Sequence, residues 1–155
     1  MNDLTRYQRL GELGEKAVAK LCDCPECEEG NLKILPRNFK CADIICDFCG
    51  FLAQVKTKRV KKTAEQINML LGAAWKPFKH RLDANIFFPL FVVSVFNDKP
   101  VKIQFIDKKS QKKNIDMFIP RKPLSKTARR AGWQGFKYDL TKIQDKIVTV
   151  WKTTL

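Results

Sequence analysis

Two Cys-x₂-Cys pairs, Cys24/Cys27 and Cys46/Cys49, stand 18 residues apart and constrain this chain more than any other feature. That is the spacing at which two knuckles close on one tetrahedral metal ion, tying residues 24–49 together before the rest of the chain is considered. Four thiolates complete the shell of a zinc ion, so zinc held this way is structural and offers no open position to a substrate. The same four residues are also compatible with an iron–sulfur cluster or with unmetallated thiols. Cys22 and Cys41 fall outside the pattern and read as small buried hydrophobes, although Cys22 is close enough to Cys24 in sequence to compete for its place. A disulfide framework would need an oxidising compartment. The N-terminus, MNDLTRYQRLGELGEK, is charged from its start and lacks the apolar core of a signal peptide, so the expectation is a cytoplasmic protein. No membrane span is expected either, because the most apolar run, Ala84 to Phe96, is short and is broken by Pro89.

The second cysteine pair lies inside CADIICDFCGFLAQVK, residues 41–56, which reads as a β-hairpin. With Cys46 and Phe51 as the last cross-strand pair around the turn Asp47 to Gly50, the antiparallel register sets Asp43 opposite Gln54. The side-chain alternation of a strand then puts Gln54 and Lys56 on one face and turns Phe51, Ala53 and Val55 toward a core. A carboxylate and an amide carbonyl at that separation suit a hard divalent cation such as Mg²⁺, and a lysine beside them can orient or activate water for in-line attack on a phosphodiester. The competing reading is a solvated Asp, Gln and Lys on an exposed strand, because Asp followed eleven residues later by Gln-x-Lys is a loose pattern.

Periodicity predicts a first helix from Leu4 to Leu21, capped by Asp3, with Leu10, Leu13, Ala17 and Leu21 on one face. Glu12 projects away from that stripe. Glu15 falls beside Leu4 and Val18, where it can look into a groove, although by pattern alone a surface glutamate is the simpler reading. A short extended piece is expected around Leu32 to Leu35. Thr63-Ala-Glu-Gln66 has the form of a capping box and predicts a helix carrying Ile67, Leu70, Leu71, Ala74 and Trp75 on one face and ending near Pro77. Strands are predicted over Ile86 to Phe96, Val101 to Ile106, Ile115 to Ile119 and Ile147 to Trp151, with Asn97 to Pro100 as a turn. The order of elements implies one domain over residues 1–155, α/β or α+β, with helices packed on a mixed sheet.

Charge points to the partner. The formal net charge is +14, and residues 51–155 hold 23 Lys/Arg against seven acids, while residues 1–50 hold seven against nine. Such a surplus favours a polyanion, nucleic acid first among the candidates and an acidic protein or anionic membrane surface after it. Lys58 and Arg59 follow the hairpin directly. Further on, Arg129 and Arg130 suit phosphates or a guanine edge, and Trp133 suits either stacking on a base or anchoring in the core. His80, the only histidine, lies in the basic run KPFKHR with no partner for nucleophilic or general-base chemistry in the pattern.

Three blocks, CPEC at 24–27, CADIICDFCGFLAQVKTK at 41–58 and KPLSKTARRAGWQGFKYDL at 122–140, resemble the DpnI-like and Dam-replacing type II restriction endonucleases of the PD-(D/E)xK nuclease superfamily. The resemblance implies a restriction-endonuclease-like core with an inserted Cys₄ zinc hairpin and Mg²⁺-dependent cleavage of double-stranded DNA. It carries the catalytic positions to Asp43, Gln54, Lys56 and the first-helix acid Glu15, with the Val55 backbone carbonyl beside them as a Mg²⁺ ligand. Cutting both strands with one such centre per chain makes a homodimer a candidate arrangement. In two respects the chain departs from the pattern. Gln54 stands where these enzymes usually have an acid, which keeps open a weak or inactive zinc-stabilised DNA-binding module. The sequence also ends after the nuclease-like part, so the C-terminal winged-helix domain of methyl-reading relatives is not expected, and recognition of methylated GATC is not carried over.

Overall fold

A computed structural model describes residues 5–154. The first helix, α1, runs Arg6–Leu21 and is capped by Thr5, whose hydroxyl accepts from the Gln8 N–H while the Gln8 side chain accepts from the Thr5 N–H. This reciprocal pair satisfies two N-terminal donors and sets the start of the helix at Thr5; Asp3, the expected cap, and Leu4 lie outside the described residues. Three strands follow, β1 (Leu32–Ile34), β2 (Ile44–Cys46) and β3 (Leu52–Arg59). Later come β5 (Leu90–Phe96), β6 (Lys99–Ile106) and β9 (Val148–Lys152), separated from the first group by β4 (Met69–Ala74) and the helix α2 (Trp75–Asp83). Between β6 and β9 lie the short helix α3 (Lys108–Lys113) and the strands β7 (Phe118–Pro120) and β8 (Gly135–Asp139).

The chain divides into two compact units. The first comprises Met1–Glu65, Phe88–Asp107 and Ile147–Leu155, and the second comprises Gln66–Phe87 and Lys108–Lys146. In the first unit a six-stranded sheet runs in the order β1-β2-β3-β5-β6-β9, parallel between β3 and β5 and antiparallel elsewhere. The expected mixed α+β architecture is therefore what forms, with α1 packed on a mixed sheet. Ala17 and Val18 of α1 are buried with Ile44, Ala53, Phe91, Val93, Val95 and Ile103. Those strand positions alternate, as a strand with one covered face requires. The turn between β5 and β6 is formed by Asn97 and Asp98, at φ 50° and 58°, the left-handed pair that a tight hairpin needs. Pairing begins at Leu90 rather than Ile86, beyond Pro89.

The second unit holds the antiparallel sheet β4-β8-β7 and an aromatic core in which Phe78 of α2 stacks on Phe136 at 4.1 Å and meets Phe118 edge-on at 4.9 Å. Here the expected helix over residues 63–77 is corrected. Met69–Ala74 is a strand and α2 starts where the helix was expected to end. Leu70 is buried and Leu71 exposed, a two-residue alternation that a short apolar run does not distinguish from one helical face. Pro77 sits in the first turn of α2, where its missing N–H removes no helical hydrogen bond. Of the strand expected over Ile115 to Ile119, the first part is a 3-10 turn, Ile115–Met117, and β7 begins at Phe118.

One close approach fixes α1 on the sheet of the first unit. A Cβ built on Gly14 would come within 1.8 Å of Thr57 Oγ1 on β3, whereas one on Gly11 meets nothing within 4 Å. Both glycines carry the same helix-propensity cost, so packing alone separates them. Gly11→Ala should raise stability by about 0.5–1 kcal/mol. Gly14→Ala should lower it by about 1–3 kcal/mol. Urea unfolding of the two variants checks the pair.

Candidate active site

The hairpin of β2 and β3 adopts the register that places Asp43 opposite Gln54: Ile44 pairs with Ala53 and Ile45 with Leu52, and the Cys46 N–H donates to the Phe51 carbonyl at 2.8 Å. At its turn the sulfurs of Cys24 and Cys49 are 3.6 Å apart, those of Cys27 and Cys46 3.7 Å apart, and all four lie within 4.8 Å of one another. Four sulfurs about 2.3 Å from a common tetrahedral centre would be about 3.8 Å apart, so this cluster is of a size that can hold zinc. Backbone N–H groups point at two of the four sulfurs. Backbone N–H groups of Phe48 and Cys49 both donate to Cys46 Sγ at 3.5 Å, and the Gly30 N–H donates to Cys27 Sγ at 3.4 Å. Donation from Cys49 first, and from Phe48, draws the Cys46 thiol down to about 7 despite its burial. Such bonds stabilise the thiolate that a metal needs. Cys22 and Cys41 are not among the four; burial, helped by Asp23, pushes the Cys22 thiol up to about 11.

Asp43 interacts with both Glu15 and Lys56. Its Oδ2 accepts from the Val55 N–H at 2.8 Å, which turns the carboxylate toward β3. Glu15, one residue past the Gly14 contact, shares a side-chain hydrogen bond with Asp43, and partial burial together with the Asp43 charge raises its carboxyl to about 7. Asp43 also acts on Lys56, whose ammonium is destabilised by burial and partly restored by the Asp43 charge. Gln54 donates through Nε2 to the Cys41 carbonyl at 2.9 Å, which leaves the amide oxygen as the atom able to ligate a cation. The acids open onto a cavity of about 220 Å³ lined by Glu12, Glu15, Lys16, Leu35, Arg37 and Asp43 among others.

Glu15 and Asp43 meet in a partly buried site, and with the Gln54 amide oxygen of the same hairpin they offer hard oxygen donors of the kind that suit Mg²⁺. The helix thus turns Glu15, not Glu12, toward Asp43. Glu12 pairs instead with Arg37, a loop residue that no sequence pattern singles out. Gly14, which lets α1 approach β3, and the Cys41 carbonyl, which accepts from Gln54, are contacts that the sequence does not reveal as such. A glycine inside a helix, next to the candidate acid, is the only available signal for the first, and the backbone at Cys41 gives none in the sequence.

The remaining candidates divide. Lys58 follows Lys56 on the same face of β3, whereas Arg59 is on the opposite face, 4.0 Å from Asp98 and beside Arg6 and Arg9. In the second unit, Arg129 and Arg130 are exposed on the loop between β7 and β8. That loop is braced by bonds from the Leu124 N–H to the Trp133 carbonyl and from the Gly132 N–H to the Leu124 carbonyl, at 2.9 and 3.1 Å. Trp133 is half-buried, with the Arg130 guanidinium 4.6 Å from its ring centre and its ring against Gly135. His80 is exposed in the last turn of α2.

Fold and site together define a mixed α+β protein whose cysteine hairpin carries an acid, an amide and a half-buried lysine, with a second acid brought to it by α1. Residues 2–152 match the Dam-replacing family, DpnI, and the chain belongs to that family. Membership points to a restriction-type nuclease with DNA as its substrate. Among the described residues, no helix is long and apolar enough to cross a membrane.

The cysteine cluster leaves no room at Gly30, where an added Cβ would lie 2.3 Å from Cys46 Sγ and 2.7 Å from Phe48 Cβ. Gly30→Ala should therefore prevent the four sulfurs from closing. Zinc-loaded parent protein should retain one zinc per chain through dialysis and melt at a lower temperature once the metal is stripped. The variant should lose its zinc and melt like the stripped parent, as read by metal content and thermal unfolding.

Proposed function

We propose that this protein is a Mg²⁺-dependent endodeoxyribonuclease with a PD-(D/E)xK core, a type II restriction enzyme of the DpnI and Dam-replacing kind, that hydrolyses phosphodiester bonds in double-stranded DNA. The observation that carries the reading is Asp43, fixed by the Val55 N–H and coupled to both Glu15 and the half-buried Lys56, on a hairpin whose turn gathers four cysteines. Cys24, Cys27, Cys46 and Cys49 hold a structural zinc. Asp43, Glu15, the Gln54 amide oxygen and the Val55 carbonyl are the ligands for Mg²⁺. When bound, Mg²⁺ supplies positive charge to the phosphoryl oxygens and acidifies water.

The rest is the work of the chain's own groups. Lys56, in the neutral form that burial favours, orients the attacking water and accepts its proton as the new P–O bond forms and the P–O bond to the leaving strand end breaks, the leaving oxygen taking a proton from solvent. Bidding for that proton is easier for a lysine already pushed toward its neutral form. The Asp43 charge acts on Lys56 in the opposite sense to burial. The Val55 N–H holds Asp43 in place throughout.

Substrate affinity has a second source. The second unit carries 15 of the 30 Lys/Arg residues and four of the 16 Asp/Glu residues, a net +11 of the chain's +14. It thus supplies most of the charge available for binding phosphates, with Arg129, Arg130 and Trp133 on its braced loop. Lys58 and Arg59 add cations in the first unit. A second reading, a DNA-binding module that has lost cleavage, draws on the neutral Gln54.

Incubation of methylated and unmethylated plasmid with Mg²⁺ or Mn²⁺ separates the two. Discrete fragments that vanish in Asp43→Ala support the nuclease, and intact DNA that still shifts on a gel supports the binding module. Lys56→Ala should slow cleavage by about 10²–10⁴-fold while DNA still binds, and undiminished turnover would place the active site elsewhere. Replacing Arg129 and Arg130 by alanine should weaken binding at low salt. It should also flatten the slope of log K against log salt by about 0.9 for each DNA phosphate that the variant no longer neutralises, as measured by fluorescence anisotropy.

A further inference from the structure

The two facing side chains of the hairpin are each held by a backbone group from the other's segment. Asp43 Oδ2 accepts from the Val55 N–H at 2.8 Å, and Gln54 Nε2 donates to the Cys41 carbonyl at 2.9 Å. The first bond can be made by any carboxylate. The second demands an amide, because an ionised glutamate has no proton to give and would set its oxygen against a carbonyl oxygen. With the amide nitrogen committed, the orientation of Gln54 is fixed and its carbonyl oxygen becomes the defined acceptor.

The acceptor is itself unusual. Cys41 has φ 76°, in the left-handed region that side-chain-bearing residues avoid, and it precedes Ala42 and Asp43 at the approach to β2. A conformation of this sort persists where its surroundings over-determine it, and such strain gathers at working sites. Here the strained peptide carries the carbonyl that Gln54 uses. The Cys41 thiol is outside the four-sulfur cluster, so metal ligation does not account for the conformation.

We propose that Cys41 is a positioning residue, whose left-handed backbone holds the Gln54 amide so that Gln54 acts as a fixed neutral oxygen ligand where the family pattern has an acid. The cation part rests on the nuclease reading above, whereas the clasp itself exists without any cation. On this view Gln54 is fitted to its neighbour rather than a decayed glutamate.

Two measurements on zinc-loaded protein test it. The first uses no Mg²⁺. Gln54→Met, similar in length but unable to donate, should lower the melting temperature by about 3 °C or more. Cys41→Gly, which occupies positive φ without strain, should melt at or above the parent. Equal melting of Gln54→Met and parent would overturn the clasp. The second is Mn²⁺ binding, read by loss of the free-ion electron paramagnetic resonance signal. Cys41→Gly should bind as the parent does, and Cys41→Val, whose branched side chain resists positive φ, should bind about tenfold more weakly. Parental binding by Cys41→Val would overturn the positioning role. A parent that binds no Mn²⁺ while Gln54→Met still melts early would sink the nuclease reading and leave the clasp standing.

Discussion

The hydrogen bond from the Cys46 N–H to the Phe51 carbonyl, closing the turn of the cysteine hairpin, is the constraint on which the candidate site depends. It selects one register, and a register slip of one residue moves every side chain of a strand to the other face. Slipped, Ala53 would leave the core and Gln54 and Lys56 would turn toward α1, into a layer built from Val18, Ile44 and Phe91. Burying those groups there without partners would cost several kcal/mol, so the apolar layer and the sulfur cluster enforce the same pairing from opposite ends of the hairpin. Zinc held by the four sulfurs would make that pairing a property of the folded metal-bound chain.

A second constraint brings the helix to the hairpin. Gly14 lets α1 approach Thr57 more closely than a side chain would allow, and the next residue, Glu15, thereby reaches Asp43. The carboxyl that the helix delivers is raised to about 7. Its raised protonation reflects partial burial and the Asp43 charge together, while Arg37, paired with Glu12, acts in the opposite sense. Asp43 consequently bears on both neighbours, favouring protonation of Glu15 and charge on Lys56.

What the sequence discloses follows from how local each determinant is. The cysteine spacing and the hairpin register are legible because a short turn, an alternating strand and fixed sulfur geometry leave one solution. The first helix is legible from its apolar stripe, but choosing Glu15 over Glu12 requires knowing which side of α1 meets β3, and that is settled by the Gly14 contact with Thr57, far along the chain. Residues 63–77 mislead because Ile67, Leu70, Leu71 and Ala74 fit a helical face as well as they fit an alternating strand. The choice falls to pairing with β8, which the sequence does not announce. Cys41 is invisible for a different reason: a left-handed cysteine has no compositional signature.

The chain must reconcile an acidic cluster with an anionic substrate, and its charges are distributed accordingly. The first unit holds 12 of the 16 acids and is only modestly basic, while the second is strongly basic with few acids. On the nuclease reading, attraction for DNA can then be supplied by residues that need not sit among the carboxylates. Gln54 bears on the same conflict at short range. A third carboxylate beside Asp43 and Glu15 would strengthen the hold on a cation but would add repulsion against an incoming phosphate whenever the cation is absent. A neutral oxygen reverses that balance, giving up coulombic attraction for the metal and depending on rigidity to recover it. Rigidity is what the bond to Cys41 provides, so the value of the amide at this position lies in the strained peptide opposite it as much as in its own oxygen.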